Sequence, residues 1–547
     1  MNEPITASTE KPTLRIAGRI SLLLVIIGFF LPIFFNTTGF GFLNIILKSG
    51  NINIVNITIF VFFISTLLGG LLLIPLVMKR ELNLVYDWIT LVVSILCCVF
   101  LTIVITGVIS DSVSDVIILR LLTGDKINLQ FGGYLIFIGL VVSLITLSIY
   151  TLSLILPPHI KTLIKNNIRN YSMFIMLALI MIIFIPLTGG NNWNERNITN
   201  IFFQYSYVLI LAVGMVMVII VQGIDLSVGS VCALVGALST MIYNTGAGTF
   251  VTLIAALLMG GAVGAYQGAW VAYGRLPSFI VTLSGMQLFR GLTYLITKVT
   301  PVNPHDTGYS LLATGTLDEI MKFQKIGPYY PTSIIVAIVL LVIFFVSEFY
   351  ARNKKIKNEF EISSLPLFIT KLVLISFLIL GLAERFARYR GLPIVALILG
   401  ITIFLFHFIL NNTVLGRYIY AVGGNPRSAK LSGINSELVT FIVFCFMGIM
   451  TGLAAVVSTG YMNSALPQAG NLFELDAIAA CYIGGVSAGG GIGSVIGVIV
   501  GGFVMSSINN GMSLMNLGTH YQYVVRALIL LFAVFFDVYS RRKAGLS

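Results

Sequence analysis

Few residues in this sequence could perform chemistry, and they lie far apart. Acidic side chains stand out at Asp225, between two apolar segments, and at Glu474 and Asp476, at the start of another. Two carboxylates this close could serve acid–base catalysis, but the sequence places no basic or nucleophilic partner beside them. Negative charge at the start of a helix is also stabilised by the helix dipole. The pattern favours a helix start, and we assign no catalytic residue.

Metal-binding and nucleotide-binding patterns are equally weak. The five cysteines form no C-x-x-C pair and the four histidines are widely separated, so neither zinc nor a disulfide framework is indicated. Residues 424–431 resemble a phosphate-binding loop, but Ala429 and Leu431 replace its glycine and its hydroxyl residue. The glycine run at 489–493 is not followed by the glycine of a dinucleotide fingerprint. We therefore expect no metal and no cofactor.

The composition is that of a membrane protein. Of the 547 residues, 57% are hydrophobic and only 10% are charged, and the mean hydropathy is +1.00. Soluble proteins average about 45–50% apolar and about 25% charged residues. The apolar stretches do not alternate, which predicts an all-α polytopic protein embedded in a lipid bilayer. We attribute the net charge of +12 to basic loops at the membrane surface and not to nucleic-acid binding.

The apolar segments fall into two blocks. Residues 1–165 are predicted to form a four-helix membrane module of unknown role, whose first span, at 20–35, lacks a signal-peptide cleavage site. Residues 166–547 form the second block. The segment 476–508 is interrupted by glycines, so we predict two short or re-entrant pieces there. The apolar segments of the second block lie near 172–188, 204–222, 227–243, 249–272, 278–297, 332–350, 366–386, 393–411, 438–457, 476–508 and 521–538.

Basic residues predict the orientation in the membrane. With the N-terminus in the cytoplasm and the sides alternating, most Lys and Arg residues fall on the inner side, as the positive-inside rule requires. We therefore predict a multi-pass protein of the cytoplasmic membrane with both termini in the cytoplasm. Arg385, Arg388 and Arg390 fall on the outer side and are exceptions to the rule.

Glycines recur every four residues in two segments, which would place them on one face of a helix. Missing side chains on such a face let two helices pack closely. One set is Gly260, Gly264 and Gly268. The other set is predicted to form a packing face, which could also permit sliding, and consists of Gly485, Gly489, Gly493, Gly497 and Gly501.

A short loop on the predicted cytoplasmic side is expected to hold one short helix. Asn425 suits the N-cap, Pro426 the first turn and Gly433 the stop. Arg427 and Lys430 are three residues apart and so share a helical face. The loop is either an ordinary amphipathic connection or a rigid projection on which a partner protein can push.

Asp225 lies in a segment where Gly223 and Gly229 interrupt the helix and where a carboxylate can cap the next helix. A charge in the hydrocarbon core costs roughly 2.5–3.5 kcal/mol, so it must be satisfied locally. The segment is either a capped helix break or a discontinuous helix of the kind that lines substrate paths in transporters.

Six motifs follow one another along the second block: IDLSVGS at 224–230, PSFIVTL at 277–283, GGN at 423–425, LSGIN at 431–435, LDAIAAC at 475–481 and NGMS at 510–513. Together they resemble the permease subunits of bacterial monosaccharide ABC importers of the ribose, xylose and galactoside type, most closely the xylose type. The resemblance covers about residues 171–545. Gln222 stands where many relatives have glycine, and Asn509 stands where the xylose-type motif tends to have aspartate.

The resemblance implies an all-helical permease core of about ten spans with glycine-broken helices, working as two copies. It implies a separate double-cassette ATPase and an extracellular or periplasmic sugar-binding protein, which together import a pentose or hexose. The residues then expected to couple to the ATPase are Gly423, Gly424, Asn425, Pro426, Arg427, Lys430, Leu431 and Gly433. The residues expected to line the translocation path are Asp225, Ser227, Asp476, Asn509 and Asn510.

Three alternatives remain at this point. A related nucleoside-type ABC permease would share the class and differ in substrate. A secondary sugar carrier would need buried ionisable relays, which are few here. An intramembrane enzyme would need catalytic groups in large outer loops, and the largest candidate, 298–331, holds only Asp306, Asp318 and Glu319 as acids.

Overall fold

The computed structural model describes residues 32–34, 37–38, 173–185, 187–360 and 365–543. Internal contacts divide the chain into two units, Met1–Asn170 and Tyr171–Ser547. The four spans predicted in the first unit lie outside the described residues, except at the end of the first span. There, two short strands, β1 (Pro32–Phe34) and β2 (Thr37–Thr38), pair antiparallel. The helix predicted at 20–35 therefore does not include β1, where proline lacks the N–H that a helix interior needs.

The second unit is built from helices, and each predicted apolar segment coincides with one or two of them. The helix predicted at 204–222 begins earlier, at Glu195, and the short helix Val414–Gly424 was not predicted. A 3₁₀ turn at Asn191–Trp193 and a π-helical turn at Tyr243–Ala247 interrupt them. The helices are α1 Met173–Ile185, α2 Glu195–Ile220, α3 Val228–Ile242, α4 Gly248–Ala272, α5 Ser278–Thr297, α6 Leu311–Thr314, α7 Leu317–Met321, α8 Pro331–Lys357, α9 Leu365–Tyr389, α10 Ile394–Asn412, α11 Val414–Gly424, α12 Pro426–Leu431, α13 Ser436–Met462, α14 Phe473–Ile483, α15 Val495–Leu514 and α16 Thr519–Lys543.

Among the described residues, seven helical runs are long and apolar enough to cross a membrane: α2, α3 joined to α4, α5, α8, α10, α13 and α15. The joined run is kinked at Gly246, whose φ is 89°. The outward side of α8 is apolar, with Val342 55% and Val346 64% exposed. Apolar surface of this kind fits lipid, so the chain is a multi-pass membrane protein. The full count of about ten spans stays a prediction.

α13 lies at the centre of the described bundle and packs against α2, α3 and α4. Its contact with α4 depends on the first glycine set. A Cβ atom at Gly260 would lie 2.3 Å from the carbonyl oxygen of Gly448, and a Cβ atom at Gly264 would lie 2.3 Å from that of Phe444. Because the two backbones touch, a larger residue at either position would push the helices apart.

The second glycine set does not form one helical face, which corrects the expectation from its spacing. Gly485, Gly489 and Gly493 lie in the turn between α14 and α15, and only Gly497 and Gly501 are helical. Gly485 has a φ of 80°, which a right-handed helix cannot contain. The helical pair does pack closely, since a Cβ atom at Gly501 would lie 2.2 Å from a carbonyl oxygen of α14.

Candidate functional site

The non-helical break between α2 and α3 is organised around the hydroxyl group of Ser227. The carboxylate of Asp225, which is 3% exposed, accepts hydrogen bonds from the backbone N–H of Ser227 at 2.9 Å and from its hydroxyl at 2.7 Å. The same hydroxyl accepts a hydrogen bond from Nε2 of Gln267 at 2.7 Å. Asp225 therefore closes the turn that precedes α3 and does not itself cap the helix. A buried network whose members are satisfied fixes the position of the break.

The backbone of this break is satisfied by the start of α5. The N–H of Ile224 donates to the hydroxyl of Ser278 at 3.0 Å, and the hydroxyl of Thr282 donates to the carbonyl of Ile224 at 3.1 Å. Non-helical backbone at membrane depth is tolerated only where protein or a water-filled cavity satisfies it. The geometry therefore supports a discontinuous helix held inside the protein.

The first residue of α14 lies beside the middle of α2 and not beside either end of that helix. The ring of Phe473, the first residue of α14, lies 4.5 Å from the ring of Tyr207 in the middle of α2. After α14 the chain reaches the end of α2, where the N–H of Gly491 donates to the carbonyl of Ile220 at 2.9 Å. α14 is therefore a short helix beside the second half of α2, and the broken segment 476–508 forms two helices, α14 and α15, of which only α14 is short.

An ion pair joins α14 to α16. Arg526 Nη1 lies 3.5 Å from Oδ2 of Asp476, and Arg526 Nε donates to Oδ1 of Asn509 on α15 at 2.8 Å. The side chains of Arg526 and Asp476 are 26% and 14% exposed. Charges in membrane segments are costly unless they are paired, so this set holds three helices in one arrangement.

Asn510 belongs to a different set from its neighbour Asn509. Its side-chain amide and that of Asn197 on α2 exchange two hydrogen bonds, at 2.8 and 2.9 Å. The five predicted path residues therefore fall into three hydrogen-bonded sets, centred on Ser227, on Arg526 and on Asn197.

α12 is the short helix that the sequence predicts. The side chain of Asn425 accepts a hydrogen bond from the N–H of Ser428 at 3.0 Å, and Gly433, with a φ of 82°, follows the end of the helix. Ala429 is only 5% exposed and packs inward. Leu431 is 91% exposed, so α12 presents an apolar side chain at its C-terminal end.

The two basic residues of α12 have different surroundings. Lys430 Nζ lies 2.9 Å from Oε1 of Glu437 on α13, and Arg275 lies 3.6 Å from the same oxygen atom. Lys430 therefore ties α12 to α13 within the chain. Arg427 is exposed and remains, with Leu431, on the surface that α12 presents.

The two glycines that precede α12 are not equivalent. A Cβ atom at Gly423 would lie 1.9 Å from the carbonyl oxygen of Ile220 and 2.8 Å from the backbone nitrogen of Gly491. A Cβ atom at Gly424 would meet nothing within 4 Å. Gly423 is thus the point where α11 touches the end of α2 and the turn after α14.

The three arginines that are exceptions to the positive-inside rule form ion pairs at the end of the bundle opposite α12. Arg385 lies 3.3 Å from Glu384, Arg388 pairs with the same carboxylate, and Arg390 lies 3.3 Å from Glu319. The pairs adjoin a small apolar cluster of α2, α9 and the start of α10. All three arginines are therefore paired with carboxylates, and their side of the membrane stays a prediction.

Sequence reasoning missed Arg526, Asn197 and Arg290. Nη1 of Arg290 on α5 donates to the carbonyls of Pro467 and Ala469 at 2.8 and 2.7 Å, which satisfies the chain leading into α14. A signal was present, because both arginines are isolated charges in apolar segments. An ionisable residue inside a membrane segment is a functional hypothesis by default.

The chain belongs to a family of transport permeases. The family model described as "Branched-chain amino acid transport system / permease component" matches residues 197–534. That range contains the helix break, the ion pair and α12. The class is therefore a membrane-spanning permease component of a transport system.

Individual relatives narrow this class. The xylose transport system permease protein XylH of Haemophilus influenzae is 38% identical over 378 residues, which are 69% of this chain and 98% of that protein. XylH of Escherichia coli is 37% identical over 69% of this chain and 94% of its own length. The ribose import permease protein RbsC of Escherichia coli is 34% identical over 66% and 92%. The resemblance that the six motifs predicted is confirmed. No solved structure matches the chain.

Proposed function

We propose that this chain is the permease subunit of an ATP-driven ABC importer that carries a monosaccharide, a pentose or hexose, across the cytoplasmic membrane. The observation that carries the proposal is the 38% identity to a xylose permease over 98% of that protein. The 34% identity to a ribose permease supports the same class of substrate.

Three protein partners belong to the proposal. ATP hydrolysis takes place on a separate double-cassette ATPase, since the sequence lacks a complete phosphate-binding loop. A sugar-binding protein delivers the substrate from outside, and a second copy of this permease completes the path. Residues 1–165 act as an accessory module, a role supported by a family match that begins at residue 197.

The segment 423–433 is proposed to dock into the ATPase from the cytoplasmic side. It contains a capped helix whose Arg427 and Leu431 are exposed, and its base at Gly423 contacts the end of α2. The break at Asp225 and the set around Arg526 are proposed to line the path. Irregular backbone and paired charges at membrane depth support that role, because transporters build their substrate sites from such features.

The test begins with the gene neighbourhood, where we expect genes for a double-cassette ATPase and a sugar-binding lipoprotein. The three proteins are then reconstituted in liposomes and supplied with radiolabelled xylose, ribose, glucose or uridine. We expect uptake of at least one of the sugars, and we expect it to stop when a non-hydrolysable ATP analogue replaces ATP. Uptake of uridine alone would contradict the proposal and favour the nucleoside-type permease.

A further inference from the structure

Gln222 follows the C-terminal end of α2 and adopts a backbone conformation that suits glycine. Its φ is 65°, in the left-handed region. Its N–H donates to the carbonyl of Ile219 at 2.9 Å, and the N–H of Gly223 donates to the carbonyl of Val218 at 2.8 Å. Helices that end in this way usually place glycine at the left-handed position, because a side chain is strained there. Such strain persists where surrounding contacts impose it, and it is concentrated at functional sites.

The Gln222 side chain joins two segments that are remote in sequence. Its Nε2 group donates to the carbonyl of Gly423 at 2.8 Å and to the carbonyl of Gly489 at 3.1 Å. Gly423 lies just before the N-cap of α12, and Gly489 lies in the turn between α14 and α15. One amide group therefore connects the base of α12 to the turn that follows α14.

Two further hydrogen bonds reinforce this junction, by which we mean the end of α2, the end of α11 and the turn 484–494. The N–H of Gly491 donates to the carbonyl of Ile220 at 2.9 Å, and the hydroxyl of Tyr420 on α11 donates to the carbonyl of Gly493 at 2.8 Å. Each pair of the three segments is thus linked by hydrogen bonds. A displacement of α12 must move the turn or break these bonds.

The turn leads directly back to the ion pair. α14 has eleven residues and so spans only about 16 Å. Its first turn holds Asp476, which pairs with Arg526. α14 therefore connects the turn that Gln222 contacts directly to the Asp476–Arg526 pair.

We propose that Gln222 is a positioning residue that transmits movement of α12 to α14, so that the state of the ATPase changes the Asp476–Arg526 pair. The inference rests on the proposed function, because it assigns α12 to the contact with the ATPase. It adds a route for the movement and names the side chain on which that route depends.

Two variants and one control test this route. Gln222→Gly removes the amide and relaxes the backbone, and Gln222→Glu keeps the length of the side chain but removes both donors. Lys298→Gly relaxes another left-handed residue, with a φ of 52°, at an exposed helix end where no such bridge is made. Amide hydrogen exchange is measured in the purified full-length chain. We expect the exchange rate of residues 487–493 to rise about tenfold in both Gln222 variants, because each variant loses a hydrogen bond that holds this turn. We expect the rate to stay unchanged in the Lys298→Gly control.

The second measurement is sugar uptake per ATP hydrolysed in liposomes, with radiolabelled xylose, ribose and glucose, the ATPase and the binding protein. We expect the ratio to fall severalfold in Gln222→Gly while the melting temperature is maintained, because glycine relieves the strained backbone. Unchanged exchange at 487–493, or faster exchange with unchanged uptake per ATP, would overturn the inference. A wild-type complex that takes up no sugar would instead refute the proposed function, and the exchange data would still decide whether the bridge exists.

Discussion

Two carboxylates in the apolar part of this permease, Asp225 and Asp476, have partners at very different distances along the sequence. Asp225 is held by Ser227, two positions further along the chain, in a turn that the glycines around it suggest. Asp476 is held by Arg526, which belongs to another helix. Because the first arrangement is local, we expect it to tolerate conservative changes. The second depends on the packing of three helices, so we expect it to be sensitive to the loss of either charge.

Asp225→Asn is expected to keep sugar uptake within about twofold of wild type, because an amide oxygen can accept the same hydrogen bonds from Ser227. Asp225→Ala leaves the buried Ser227 N–H without its acceptor, which costs about 1–3 kcal/mol. Thermal unfolding in detergent and uptake in liposomes measure the two effects. An Asn variant that unfolds like wild type but transports nothing would show that the negative charge itself is required.

Arg526→Met is expected to destabilise the protein by about 3–5 kcal/mol, because Asp476 would remain as an uncompensated charge. The double variant Arg526→Met with Asp476→Leu removes both charges and should recover most of that loss. The melting temperatures of both single variants and of the double variant provide the comparison. Additive losses in the double variant would mean that the two side chains do not stabilise each other.

At the scale of the structural elements, α11 and α12 form a segment whose tip is exposed and whose base is held against the helix bundle. α12 is capped at both ends and presents Arg427 and Leu431. Its base is fixed by Gly423 against α2 and by Lys430 against Glu437. A segment of this kind can receive a force at its tip and pass the force to the bundle.

Gly423→Ala is expected to destabilise the permease by about 1–3 kcal/mol or more, because its methyl group would lie 1.9 Å from a backbone oxygen. Gly424→Ala is the matched control, since its methyl group would meet open space, and it should change stability by less than about 0.5 kcal/mol. Melting temperatures of the two purified variants measure the difference. Equal stability of the two variants would contradict the close contact at Gly423.

Arg427→Glu combined with Gly433→Pro is expected to lower sugar uptake about tenfold, which corresponds to about 1.4 kcal/mol of docking free energy. The first change reverses the exposed charge, and proline cannot adopt the φ of 82° found at Gly433. Membrane insertion and nucleotide binding by the ATPase should be unchanged. Lys354→Glu, an exposed charge reversal at the end of α8, serves as the control.

Cysteine cross-linking gives an independent measure of the same docking. Cysteine pairs placed between Leu431 and the ATPase should cross-link with a yield that changes on ATP binding. If residues 423–433 react only with reagents added outside the cell, both the orientation and the docking proposal are wrong.

The chain is longer than the three relatives named above. XylH of Haemophilus influenzae aligns with 69% of this chain, and the family match covers residues 197–534. The charged sets and the junction at Gln222 all lie within the matched part. The parts of the molecule that the transport proposal uses therefore lie within the range that the family model matches.

Deletion of residues 1–165 is expected to leave measurable ATP-dependent sugar uptake, because the proposed path and docking segment are untouched. Membrane fractionation and co-purification with the ATPase must first show that the shortened chain inserts and assembles. Complete loss of uptake in a chain that does both would contradict the accessory role.

The sequence by itself determined the membrane class, the approximate positions of the long helices and the capped α12. These features depend on interactions within a few residues: apolar runs long enough to span lipid, a side chain that accepts from an N–H group three positions on, and a glycine that ends a helix. The glycine spacing on α4 was also sufficient, because all its members lie in one helix.

Only the tertiary structure decided which residues meet across the bundle. The glycine spacing at 485–501 fitted a helix, but residues 485–493 form a turn in which Gly485, Gly490 and Gly491 have a positive φ. Arg526 meets Asp476, and Gln222 meets both Gly423 and Gly489, over long sequence separations. Local sequence cannot encode such pairings, because they depend on which helix faces are brought together when the whole bundle packs.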